Sequence, residues 1–334
     1  MTALARAWNR WWFAPSARHQ VGIFRIALLA WFVYLYVDYF TSLGWVAHRP
    51  IAFLHRCLGL RLSPIPFPWP DGLGTALQWI GWTTLFTSLL GIATRASLIV
   101  FTLVTFHLQG IRYSFGYFGH AHLLACLALA ALAVAPGAGS WSVDALVRAL
   151  RRREPVLAHL RGRPAPVWLA RIVLIQIVAV YLAAGVAKLR YGGLEWLDGR
   201  TLSFYLAGET HDGKQYFGAK REPAPEDLWR DGFGLEHILY KAHPPPSARR
   251  LARHPWVCRL LAVASVGFEL GFAVVLFAPR LVLPALVAAV AFHEGIDALM
   301  RIEFAHYYPV FALFVDWEAL ARKLRWKGSQ PRRS

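Results

Sequence analysis

Apolar residues gather in runs of about 20 along this chain, and most of the polar residues fall between the runs. Such a run crosses the hydrocarbon of a bilayer as a helix, because each residue rises about 1.5 Å. The pattern predicts spans over about 22–43, 74–92, 96–113 and 118–136, a fifth opening at Trp168, and three more over about 256–277, 281–300 and 304–320. The last is short and holds Pro309. Residues 45–62 are too short and too charged to span and read as a helix lying in the membrane interface, ended by the proline-dense loop 63–72. Residues 1–20 form a basic, aromatic lead-in with Trp11, Trp12 and Phe13 as interfacial anchors. The first apolar run is too long for a signal-peptide core and lacks a small-residue cleavage site, so it is expected to be a retained span. The fold class expected is therefore all-α: a polytopic transmembrane helix bundle of about eight spans over residues 21–320, with a basic tail at 321–334.

Composition supports this. Hydrophobic residues make up 57% and charged residues 16%, against about a quarter charged in a soluble domain. The net charge of +17 would suit nucleic acid, but the arginines cluster at the termini and in loops between apolar runs, which is the signature of cytoplasmic loops. With the N-terminus in the cytoplasm, the loop holding Arg148, Arg151, Arg152, Arg153, Arg161 and Arg163 is cytoplasmic, as is the C-terminal tail. The longest polar segment, about 190–255, then lies outside. Arg49, Arg56 and Arg61 run against the rule and fit only as part of the interfacial helix. There is no internal repeat to support an inverted-repeat transporter.

The polar residues inside the apolar runs carry the candidate chemistry. Of the six lysines, only Lys188 sits in an apolar segment, and an ionisable side chain at that depth marks a functional site by default. Tyr181 and Gly185 share its helix face by i, i+4, i+7 spacing. Arg112 closes the third span on the outer side, where His120 and His122 open the fourth. Glu269 lies near the middle of the sixth span. In the seventh, His293, Asp297 and Arg301 form one stripe at successive i+4 steps, with Glu294 beside them. Charges in hydrocarbon must find partners in a bundle interior or a wet cavity, so these groups are expected to share one polar pocket open outward.

Blander readings stand beside each of these. Lys188 could snorkel to the headgroups. His120 and His122 point to different sides of a helix and make a poor metal pair. The His293–Asp297–Arg301 ladder could be an ion pair that fixes helix register. Arg25 could meet lipid phosphates or a neighbouring carbonyl. Cys57, Cys126 and Cys258 show no metal-ligand spacing; Cys57 and Cys258 could pair on the outer side or remain buried thiols.

The stretch YLAAGVAKLRYGGLEWLDGRTLSFYL, 181–206, resembles the core motif of the vitamin K-dependent gamma-carboxylase family and of its microbial relatives, the HTTM (horizontally transferred transmembrane) domain proteins. The shared pattern is a Tyr, an Ala-Gly pair, Lys-Leu, then Trp196 and a Gly before a short helix. FRIALL in the first span, GHAHLL opening the fourth, SWSVD closing it, FELGFAVVLF in the sixth and FHEGIDALMRIEFAHYYPVFALFVDW near the end fit as well, so the resemblance covers about residues 15–318.

The resemblance implies a reaction. In the carboxylase a lysine at the place of Lys188 deprotonates vitamin K hydroquinone. Oxygen converts the product to an epoxide through a strongly basic alkoxide, which strips a glutamyl side chain for carboxylation by CO2. A histidine at the place of His120 assists. A base must be a neutral amine, which burial among apolar helices favours. The carboxylase continues into a large extramembrane domain that helps bind its protein substrate, whereas this sequence stops soon after the eighth span. The expected function is thus a membrane enzyme, a lyase-type relative of the carboxylase, acting on a reduced vitamin K or menaquinone-type quinone with O2, and with CO2 and a peptide or protein substrate if the second half is kept. Lys188 would be its base and His120 a hydrogen-bonding partner. Tyr181, Gly185, Arg112, His122, Trp196, Glu269, His293, Asp297 and Arg301 would line the pocket, with no metal implied. Its expected place is the inner membrane with the active face outward. The alternative is a non-catalytic membrane protein, either an immunity or interaction factor or a small-molecule conduit.

Overall fold

The computed structural model describes residues 2–17, 19–41, 54–114, 120–161, 164–207, 245–300, 302, 304 and 307–328. Among them there are helices and no strand, the one sheet-like contact being an isolated antiparallel bridge between Pro15 and Pro166. Four helical segments are long and apolar enough to cross a membrane: Thr94–Ser114, Trp168–Asp198, Pro255–Leu276 and Pro279–Met300. Gln20–Leu35 and His122–Val134 are shorter apolar helices, so the expected count of about eight goes beyond what the described helices establish. The expected last span is not one continuous helix: a turn at Tyr308–Phe311 tightens into a 3-10 segment, Ala312–Phe314, and Val315 is extended. A new helix starts at Trp317, where the Asp316 carboxylate accepts the backbone N–H of Ala319.

The chain divides into two compact units. The first holds residues 1–115, 122–173 and 306–334. Its helices are α1 (Ala3–Phe13), α2 (Gln20–Thr41), α3 (Leu58–Leu62), α4 (Leu73–Leu90), α5 (Thr94–Ser114), most of α6 (His120–Val134), α7 (Val143–Arg152), α8 (Val156–Arg161), the start of α9 (Trp168–Gly192) and the C-terminal helices Tyr308–Phe311 and Trp317–Gly328. Phe24, Leu28, Leu29 and Phe32 of α2 are buried with Leu98, Phe101 and Val104 of α5, and Phe32 meets Phe101 edge-on at 5.5 Å. Leu77, Gly81, Leu85 and Ser88 form the buried stripe of α4.

One end of this unit is tied by polar groups. The Arg25 side chain, fully buried, donates to the carbonyls of Ala138 at 2.5 Å and Trp141 at 2.7 Å, so it meets carbonyls. Asp144 accepts the backbone N–H of Ala93 and Thr94 and the Thr94 hydroxyl, capping α5 from a different segment of the chain. Ser142 caps α7. FRIALL and SWSVD are therefore halves of one structural tie.

At the far end of α5, His55 and Cys57 donate their backbone N–H to the carbonyl and hydroxyl of Ser114, which seats α3 on Gly110 and Ile111. The expected interfacial helix is described only from Leu54 on, its earlier part lying outside the described residues. The proline-dense loop is held by His107, which accepts from the Trp69 indole at 2.9 Å and bonds the Ser63 hydroxyl at 2.9 Å. Cys57, Cys126 and Cys258 are thiols, not joined in a disulfide.

The second unit holds residues 116–121 and 174–305. It comprises the rest of α9, a 3-10 segment Gly193–Asp198, α10 (Arg200–Ala207), α11 (Pro246–Ala252), α12 (Pro255–Gly271) with its 3-10 extension Phe272–Leu276, and α13 (Val282–Met300). Gly199 turns the chain into α10 at φ +84°, and a Cβ there would fall 2.3 Å from the Arg259 nitrogen, so both its conformation and the close passage of α12 require glycine. Most of the polar segment expected outside, 208–244, lies outside the described residues.

Candidate functional site

Helices α9 and α12 run antiparallel, with Tyr181 beside Phe272, Gly185 beside Leu270 and Lys188 beside Ser265 and Glu269. Gly185 makes this possible: a Cβ on it would sit 2.9 Å from Leu270 and 3.2 Å from the Glu269 Cβ. The missing side chain lets the α12 backbone approach within reach of Lys188.

The Lys188 ammonium closes an ion pair with Glu269 Oε1 and donates to the Ser265 hydroxyl at 3.3 Å. It also stands 5.7 Å from the centre of the Trp196 ring, brought there by the 3-10 turn after α9. The lysine side chain is 22% exposed and the carboxylate 5%. Lys188 therefore does not reach out alone toward headgroups. Among the described residues, the second oxygen of Glu269 is buried without a hydrogen bond, which in a native structure calls for an explanation.

On the same face of α9, nearly two turns before Lys188, the Tyr181 hydroxyl and His293 Nε2 of α13 share a 2.7 Å hydrogen bond. Both residues are buried. Tyr181 stacks on Phe272 at 4.4 Å, Phe268 stands edge-on to it at 5.5 Å, and Phe304 lies 4.3 Å from His293. The arrangement places an ammonium–carboxylate pair and a phenol–imidazole pair along one seam walled by aromatic rings. Chemically, the first can pass a proton between its own two groups with no change in its net charge. The second can hydrogen-bond an oxygen, and the rings favour a flat apolar partner.

Tyr181, Gly185, Lys188, Trp196, Glu269, His293 and Asp297 belong to the second unit. Arg112, in the last turn of α5, and buried His122 belong to the first. His120 opens α6, but its side chain lies outside the described residues, as does Arg301, so the ladder on α13 is described only at His293 and Asp297. Ser265 was not foreseen, because a serine in an apolar helix is unremarkable until its neighbour is known. His107 was missed although its signal was present, an ionisable residue in the middle of the Thr94–Ser114 span.

A family model described as the HTTM domain matches residues 13–218, more than half of the chain, so the chain belongs to the HTTM family, whose name carries the relation to gamma-carboxylase. The matched range includes Tyr181, Gly185, Lys188 and Trp196 and ends before Glu269 and His293. Neither the curated proteins nor the solved structures include a match to this chain.

Proposed function

We propose, from the premise that this membrane protein belongs to the HTTM family, that it oxidises a reduced lipid-soluble quinone with Lys188 as the base. The observation that carries the reading is the Lys188–Glu269 pair between α9 and α12, its glutamate buried and its lysine half-buried. An ionisable pair costs free energy to bury and is retained where it is used. A hydroquinone is flat and apolar with a hydroxyl at each end. That shape suits a seam with aromatic walls and two polar pairs.

In this reading the Nζ, as free amine with its proton on Glu269, takes the hydroquinone proton. The resulting ammonium balances the oxyanion in surroundings that offer little water. Tyr181 and His293 orient the other oxygen. With O2 as oxidant, hydroquinone plus O2 gives the quinone epoxide plus water, so the atoms balance without a metal. Carboxylation of a glutamyl side chain by CO2, with His120 assisting, is the further step that the carboxylase relation suggests. The reading places the protein in the cytoplasmic membrane, both termini inside and the reacting face outward.

The experiment is to give the purified protein reduced menaquinone or vitamin K with oxygen and measure epoxide, comparing wild type with Lys188→Ala and Lys188→Arg. Epoxide from the wild type alone is expected. If folded wild type with quinone bound makes none, the protein is a non-catalytic binding or interaction factor.

A further inference from the structure

At the tied end of the first unit lies a cavity of about 240 Å³ that the proposed reaction does not use. The start of α5 gives it Arg95 and Thr94, the loop after α6 gives it Gly137 and Gly139, and α7 gives it Asp144 and Arg148. Asp144 is committed: its oxygens already take three donors from Ala93 and Thr94. The two guanidinium groups are less so. Arg95 reaches the carbonyls of Ala133 and Ala135 by long bonds, 3.4 and 3.3 Å, which leave most of its five N–H donors for another acceptor. Arg148 neighbours Asp144 by charge, and its guanidinium lies close to Gly139, where the loop carries no side chain.

The surroundings say which acceptor. Helix α7 has three faces. Ala145 and Ala149 are buried, Asp144, Arg148 and Arg152 form a polar stripe, and Val143, Val147 and Leu150 form an apolar stripe exposed at 37%, 37% and 62%. An exposed apolar stripe beside arginines is the mark of a helix lying at the depth of lipid headgroups. Helix α1 repeats the pattern at the same end. Leu4 and Trp8 are exposed, Arg6 and Arg10 accompany them, and the chain after α1 is tied to this end by His19 on the Trp141 indole.

We propose that the Arg95–Arg148 cavity is a binding site for an anionic phospholipid. The two arginines take the headgroup phosphate, and the Val143–Val147–Leu150 stripe lies in the acyl boundary beside it. The chemistry is that of basic pockets at helix ends, where arginines near the surface attract anionic lipid headgroups.

The test uses delipidated full-length protein in detergent and native mass spectrometry with phosphatidylglycerol, phosphatidylcholine, and inorganic phosphate as competitor. Phosphatidylglycerol is expected to bind about tenfold better than phosphatidylcholine, the preference falling to near unity in Arg95→Gln/Arg148→Gln and persisting in Arg280→Gln, which lies in the other unit. Should the double variant fail to fold, Arg148→Gln alone, which spares the Arg95–carbonyl bonds, is expected to lose about half of the preference on a logarithmic scale. Equal binding of the two lipids, or a preference untouched by the arginine changes, overturns the proposal. Displacement of the lipid by millimolar inorganic phosphate also overturns it, assigning the cavity to a free anion instead.

Discussion

Lys188 and Glu269 face each other across two antiparallel helices at a point where Gly185 has removed the side chain that would hold them apart. A buried pair of this kind is costly to break and cheap to delete, because removing one partner leaves an uncompensated charge whereas removing both leaves none. Lys188→Met and Glu269→Leu should each lower stability by about 3–5 kcal/mol, and the double variant should return to within about 1 kcal/mol of wild type or exceed it. Denaturation of the four proteins in one detergent completes the cycle. Additive losses would mean that the two side chains are not coupled.

The same pair carries the proposed chemistry. Glu269→Gln should lower the epoxidation rate by about 100-fold while Lys188→Arg removes activity. Initial rates of the purified variants decide this. An unchanged rate in Glu269→Gln would reduce Glu269 to a fixture of the helix pair.

Two glycines should respond differently to alanine. At Gly199 the new Cβ would meet the backbone of Cys258 and Arg259 at 2.3–2.7 Å, and the residue holds a left-handed conformation, so nothing nearby can yield. Gly199→Ala should cost more than about 3 kcal/mol. At Gly185 the nearest atom is the end of a leucine side chain, which can turn away. Gly185→Ala should cost about 1 kcal/mol in stability but more in activity, since it displaces Glu269 from Lys188. Thermal melts alongside epoxide rates separate the two effects.

Asp144 supplies a pH dependence outside the spanning helices. Burial pushes its carboxyl up, but the N–H and hydroxyl of Thr94, the N–H of Ala93 and the charge of Arg148 outweigh this and hold it below the usual carboxylate range. A depressed carboxyl stabilises the fold above its unfolded value, about 3.9, and that contribution is lost as pH falls through the folded value. Asp144→Ala should therefore melt earlier than wild type at pH 7, by about 1 kcal/mol for a lost helix cap, and the gap should close in acid. Melting curves from pH 7 to pH 3 show whether it does.

Much of this was legible in the residues. Runs of about 20 apolar residues gave away the spans at Thr94–Ser114, Trp168–Asp198, Pro255–Leu276 and Pro279–Met300, because length and hydropathy act locally. The singular position of Lys188 marked its helix for the same reason. Its partner was harder to name. Glu269 had been placed in a shared pocket by depth alone, and depth does not say which of several polar groups lies across a helix pair. That choice is made by Gly185, through a contact 84 residues apart in sequence, and no local pattern encodes it. The His293–Asp297–Arg301 spacing admitted a partner along the helix as well as a shared pocket, and the bond described at His293 joins it to Tyr181 on another helix. Arg25 admitted two readings until the loop that receives it was placed.

That loop also imposes an order on biogenesis. The guanidinium of Arg25 belongs to α2, yet the carbonyls that receive it lie 113 and 116 residues further along. During synthesis α2 is made before any native acceptor for this charge, and only when the stretch through Trp141 has followed can the tie close. A chain truncated before Ala138 should therefore leave the Arg25 guanidinium without these carbonyls and be degraded faster than the full chain.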